Sequence, residues 1–140
     1  MTLICDATPL VALADKSDPM GPAILEVLRS EPGKLVVPAP VTAEVDYLLG
    51  ERFGVRARHA FLADLAAGRY SVESLASADY AEVLGLEARY ADKALGLADC
   101  SVVVLARRLR TRRLLTFDER HFRAIAPLQS GAFELLPADS

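Results

Sequence analysis

Asp6 ends the apolar run Leu3-Ile4-Cys5, Glu44 and Asp99 interrupt apolar helical stripes, and Asp118 follows Leu114-Leu115-Thr116-Phe117. Chains ordinarily place apolar or capping residues at such positions. Carboxylates gathered without Lys or Arg partners repel one another and resist desolvation. A fold keeps such a group mainly when a hard cation neutralises it. Oxygen ligands suit Mg2+ and Mn2+ alike. The chemistry this set points to is metal-assisted hydrolysis of a phosphodiester.

The two helical acids are singled out by periodicity. Val41, Val45 and Leu48 stand at i, i+4 and i+7 after Pro40, and Glu44 falls on the margin of that stripe, whereas Asp46 points outward. In a later helix Val102, Val103 and Ala106 lie three, four and seven residues beyond Asp99, which puts its carboxylate on the apolar face of the first turn. Favourable interaction with a helix N-terminus is worth only about 0.3–1 kcal/mol, less than burying an unpaired carboxylate costs. Asp6 and Asp118 have a plainer reading available. Asp6 would serve as an Asx-type turn or cap before Thr8-Pro9, and Asp118 as the N-cap of a short helix through Glu119 to Phe122.

Short apolar runs alternate with helical patterns along the whole chain. Strands are expected at 3–5, 35–37, 70–72, 114–117 and 133–136. Helices are expected through Leu10 to Leu13, with Pro9 at the first helical position after Thr8, and through Ile24 to Leu28. Further helices should follow Pro40, run from about Val55 to Ala67 with Gly50 to Gly54 as the separator, and span about 77–91 and 98–109. This alternation implies an α/β fold with a mainly parallel central sheet flanked by helices. In such sheets ligands bind beyond the carboxyl ends of strands, where Asp6 and Asp118 would sit. With 140 residues and 52% hydrophobic composition, the chain is expected to form one domain, 1–140, around a substantial core.

Composition narrows the function. No apolar run approaches the roughly 20 residues of a membrane span, and the start lacks a basic n-region and long h-region, so a cytoplasmic protein is expected. Cys5 and Cys100 stand far apart without Cys-x-x-Cys spacing and read as small buried hydrophobes. A net charge of −3 argues against gripping nucleic acid by bulk electrostatics. Locally, Arg107, Arg108, Arg110, Arg112, Arg113, Arg120 and Arg123 crowd one segment beside Asp118. Guanidinium forks bind phosphate bidentately, so this cluster reads either as a phosphate-steering patch or as a solvated surface. Asp92 beside Lys93 reads as a surface pair. His59 and His121 read as exposed or packing residues, for no His-containing metal spacing surrounds them. Tyr47, Tyr70, Tyr80 and Tyr90 read as core or interface. Neither a Gly-x-Gly-x-x-Gly nor a Walker loop occurs, so no nucleotide cofactor is expected.

Cys5-Asp6-Ala7-Thr8, Ala43-Glu44-Val45, Gly96-Leu97-Ala98-Asp99-Cys100-Ser101 and Leu115-Thr116-Phe117-Asp118-Glu119-Arg120-His121-Phe122 together resemble a PIN-domain ribonuclease, specifically a VapC-type toxin. The resemblance covers essentially the whole chain. It implies a Mg2+-dependent endoribonuclease in which Asp6 and Asp99 are direct metal ligands, with Glu44 and Asp118 completing the catalytic acids through water or a second metal. Thr8 and Thr116 would support an acid or a water from behind. The resemblance also implies a cognate VapB-type antitoxin and homodimerisation. Other readings are a PIN nuclease of RNA processing, a catalytically silent RNA- or partner-binding PIN module, and a haloacid-dehalogenase-like domain, which the absence of an Asp-x-Asp pattern at Asp6 disfavours.

Overall fold

The computed structural model describes residues 2–140. Five strands, β1 (Leu3–Cys5), β2 (Leu35–Pro38), β3 (Ser71–Glu73), β4 (Arg113–Leu115) and β5 (Glu134–Leu136), form one sheet in the order β3-β2-β1-β4-β5. Every pairing is parallel, as expected of strands separated by helical crossovers. Helices α1 (Ala7–Ala12) and α2 (Gly21–Ser30) join β1 to β2, and α3 (Ala39–Phe53) and α4 (Val55–Ala66) join β2 to β3. Helices α5 (Ser77–Arg89) and α6 (Leu97–Arg108) lead to β4, and α7 (Glu119–Ala124) leads to β5.

The central strands read as unbroken apolar runs because helices cover both faces of the sheet. Leu3, Ile4, Cys5, Leu114 and Leu115 are all fully buried. α6 is the most enclosed helix: every residue from Cys100 to Ala106 is buried, between α3, α5 and the strands β1 and β2. Its one polar member, Ser101, donates its hydroxyl to Ala98 O at 2.6 Å, so the burial leaves no orphaned donor. Both cysteines are free and buried; burial raises their thiol pKa values, which keeps them unreactive.

Several boundaries differ from the sequence expectation, β4 ending at Leu115 and not Phe117 among them, and two of the differences have a clear local cause. α3 continues through Gly50 and stops only at Gly54, whose φ of +89° ends it. Gly50 is needed for packing instead: a Cβ there would lie 2.8 Å from Arg58 Cδ, and Arg58 crosses from α4 to hold Asp46 with hydrogen bonds of 2.8 and 3.2 Å. At the other boundary, α1 begins at Ala7, with Asp6 and not Thr8 as its N-cap.

The chain steps from β1 outward to β2 and β3, then returns to place β4 and β5 on the other side of β1. The carboxyl ends of β1 and β4 therefore flank the switch point, where the diverging connections leave a crevice. Register fixes it closely: Cys5 pairs with Leu115, and Asp6 N donates to Leu115 O at 2.8 Å.

Candidate active site

Asp6 leaves β1 at this crevice and is 7% exposed. Its Oδ1 accepts from Ala7 N at 2.8 Å, capping α1, and its Oδ2 accepts from the Thr116 hydroxyl at 2.8 Å. The buried Thr116 Oγ1 in turn accepts from Asp118 N at 3.0 Å. One hydroxyl thus ties the end of β1 to the turn after β4. Asp118 Oδ1 caps α7 through His121 N at 2.9 Å, so the capping role open to each of these acids is filled by one oxygen and the second is left for other partners.

The other two acids arrive on helices. Asp99 is half-buried in the first turn of α6, and its Oδ2 lies 3.3 Å from His121 Nδ1. That nitrogen is also 2.9 Å from Asp118 Oδ2. It is buried, yet it is aligned as a hydrogen-bond partner to neither carboxylate. Ligand atoms of Asp99, Asp118 and His121 all fall within 4.8 Å of one another. Glu44, on an exposed position of α3, stands at the rim, close enough to feel the charges of Asp6 and Asp99. The fold therefore brings all four acids to one place.

The electrostatics record the crowding. Burial pushes the Asp6 carboxyl above its ordinary value, and the Asp118 charge adds to this, against the lowering effect of the Ala7 and Thr116 hydrogen bonds and of His121. Loss of solvation and the Asp6 charge likewise raise Asp99; partial burial followed by Asp6 and Asp99 raises Glu44. Carboxyls raised by folding stabilise the native state fully below their unfolded values, near 4, and that contribution is lost as pH rises through the folded values. Metal-free protein should accordingly melt higher near pH 5 than at pH 8. Thermal melts in EDTA across that range check this; a melting temperature that rises with pH would mean that folding lowers these carboxyl pKa values instead of raising them.

A hard divalent cation fits this donor set. Carboxylate oxygens predominate, their mutual repulsion is uncompensated by Lys or Arg, and a buried imidazole nitrogen sits unaligned between two of them. His121 was not expected here. The available signal was its i+3 spacing from Asp118 across the start of α7, which puts both side chains on one helix face.

Thr116 takes the supporting position the sequence suggested, whereas Thr8 is exposed and makes no side-chain hydrogen bond among the described residues. Asp92 is exposed and pairs with Lys93 at 3.7 Å, and His59 is exposed, as expected. Most of the arginine cluster is engaged within the chain, although Arg110 and Arg120 are exposed and belong to no ion pair among the described residues. Arg107 holds Glu82, Arg108 holds Asp79 at 2.6 Å, Arg113 holds Glu31, and Arg123 holds Asp139 at 2.7 Å. Arg112 donates to Ser130 O at 2.7 Å. These forks tie segments of the fold together, including the buried Asp79, so their charge is spent on carboxylates and carbonyls within the chain.

No family model matches the sequence. The chain is, however, 38% identical over 135 residues to ribonuclease VapC26 of Mycobacterium tuberculosis (strain ATCC 25618 / H37Rv), across 96% of this chain and 100% of that protein. The chain belongs to the VapC family of PIN-domain ribonucleases. Solved VapC structures share its architecture. M. tuberculosis VapC20, a sarcin-ricin loop cleaving toxin, superposes with a TM-score of 0.76 at 20% identity, over 83% of this chain and 89% of that one. VapBC2 of Rickettsia felis, bound to a promoter DNA fragment, matches with a TM-score of 0.70 at 17% identity, over 96% and 98% of the two chains. In this VapC-family chain the acids predicted from sequence and the crevice predicted from strand order coincide.

Proposed function

We propose that this chain, as a single PIN domain, is a Mg2+-dependent endoribonuclease whose catalytic acids are Asp6, Glu44, Asp99 and Asp118. The observation that carries the reading is the convergence of these four carboxylates, three with pKa values raised, at the switch point of the sheet. Asp6 and Asp99 would hold the ion, with Asp118 and His121 beside them; Mn2+ would serve the same oxygens. A bound divalent ion supplies Lewis acidity at the phosphate and a lowered pKa for water.

The chain's own groups do the rest. Thr116 fixes the Asp6 carboxylate by donating to its Oδ2. Glu44 stands on the solvent side, and its raised pKa suits it to orient a water and take its proton. No covalent nucleophile is required.

In the cell we propose that the chain acts as the toxin of a toxin–antitoxin pair, in the cytoplasm, neutralised by a VapB-type antitoxin and functioning as a homodimer. The VapBC2 assembly supports the partner class. Exposed apolar side chains, among them Tyr47, Leu62 and Leu84, and an apolar cleft of about 370 Å³ between α1, α3 and α4 supply surface for association. No helix is long and apolar enough to cross a membrane among the described residues.

Purified protein incubated with RNA should yield discrete fragments in Mg2+ and none in EDTA, with cleavage restored by excess Mg2+. Cleavage at full rate in EDTA would remove the metal from the mechanism.

A further inference from the structure

Beside the acid cluster lies a second, smaller pocket of about 230 Å³, lined by Thr8, Asp15, Asp18, Arg52, Phe53 and Phe117 among others. Thr8 is two residues beyond Asp6 and Phe117 directly precedes Asp118, so two of the pocket's walls come from the same segments that carry these acids. The volume falls below the ~300–1,000 Å³ of clefts that take drug-sized ligands and suits a single ring system.

The lining is chemically specific. Phe53 is 38% exposed, and neither it nor Phe117 stacks on another ring; the aromatic pairs among the described residues are Phe61 with Tyr70 and Phe122 with Phe133. Arg52 belongs to none of the ion pairs among the described residues, unlike most of the arginines near Asp118. Asp15 and Asp18 are each fixed through Oδ1, by Ser17 N and Oγ and by Met20 N respectively, which leaves each Oδ2 to accept from a ligand.

We propose that this pocket is a nucleobase subsite: it holds the base next to the scissile phosphate against Phe53 and Phe117, with Arg52 on the adjoining phosphate and Asp15 and Asp18 accepting from an exocyclic amino group. The inference rests on the ribonuclease reading above. An acceptor-lined slot favours adenine, guanine or cytosine over uracil, which carries no amino group, and two fixed carboxylates repel a phosphate from the slot itself. Aromatic faces hold a base by stacking, and a guanidinium fork takes the phosphate.

The test uses single-stranded RNA oligonucleotides containing a mapped cleavage site, with or without an abasic ribose at the flanking position. Phe53→Ala should lower kcat/KM on the intact oligonucleotide by about 5- to 150-fold, the loss expected of one stacked base, and Phe53→Tyr should keep most of it. On the abasic oligonucleotide wild type should fall to the same level, and Phe53→Ala should cause little further loss. Additive losses, or wild-type kinetics in Phe53→Ala, overturn the subsite while leaving the nuclease reading intact; no cleavage of any RNA by wild type overturns both. Should Phe53→Ala fail to fold, Arg52→Ala decides: the salt slope of RNA binding falls by about one if Arg52 holds a phosphate, and an unchanged slope overturns the subsite.

Discussion

Replacing Asp99 by Asn should lower RNA cleavage by at least about 100-fold while the protein stays folded. The asymmetry follows from where Asp99 stands. Its carboxylate is only half-buried, in the first turn of α6, and its surroundings are unfavourable to charge: solvation is reduced and Asp6 lies close enough to raise its pKa. Asn removes that charge and keeps an oxygen facing the Gly96 N–H, whose proximity partly offsets the shift. Folding therefore loses nothing. On the proposed reading catalysis would lose a metal-binding oxygen, and Lewis-acid stabilisation of several kcal/mol, at 1.36 kcal/mol for each factor of ten, sets the expected loss. Growth arrest on induction should disappear with it. Cleavage assays beside thermal melts decide the matter. A variant that melts normally and cleaves at the wild-type rate would exclude Asp99 from the site.

The fold was legible because the central strands are short apolar runs and the helices carry a 3.6-residue stripe, two patterns that parallel α/β packing requires. Asp6 and Asp99 were legible for the opposite reason, being charges where the pattern demands apolar groups. Glu44 was marked by its place at a stripe margin, and it does lie at the rim. His121 was marked only by its i+3 spacing from Asp118, because its place beside Asp99, which arrives from a helix about twenty positions earlier in the chain, is revealed by no local spacing. The arginine cluster misled in the same way. Its partners Glu31, Asp79 and Glu82 are remote in sequence, so much of a segment that reads as a basic patch serves as internal ties. The extension of α3 through Gly50 escaped because the reason for that glycine is Arg58 on the next helix, a contact made only after folding.

Asp6 sets function against stability most sharply, and Asp6→Asn should raise the metal-free melting temperature while suppressing cleavage. The buried carboxylate has a raised pKa, so at pH 7 its ionised form is a cost to the native state. Asn removes that cost and preserves the cap on Ala7 N through its remaining oxygen. It disturbs one bond, because the Thr116 hydroxyl that now donates to Oδ2 would face an NH2 group and have to accept from it. That exchange costs about 1 kcal/mol, less than relief of a desolvated charge beside Asp99 and Asp118 should return. A domain of this size shifts by about 4 °C per kcal/mol, so the gain should be measurable, and it should shrink as pH falls through the raised pKa of the wild-type carboxyl. Mg2+ should reverse the order. A cation bound only by the folded state adds about 2.7 kcal/mol at a hundred times its dissociation constant, or roughly 10 °C here, and the Asn variant should lose much of that response. Melting both proteins in EDTA and in excess Mg2+ separates the possibilities. If Asp6→Asn melts lower without metal and gains as much from Mg2+ as wild type, then Asp6 serves the fold as the cap of α1 and the anchor of Thr116, and the ion is held by Asp99, Asp118 and His121 without it.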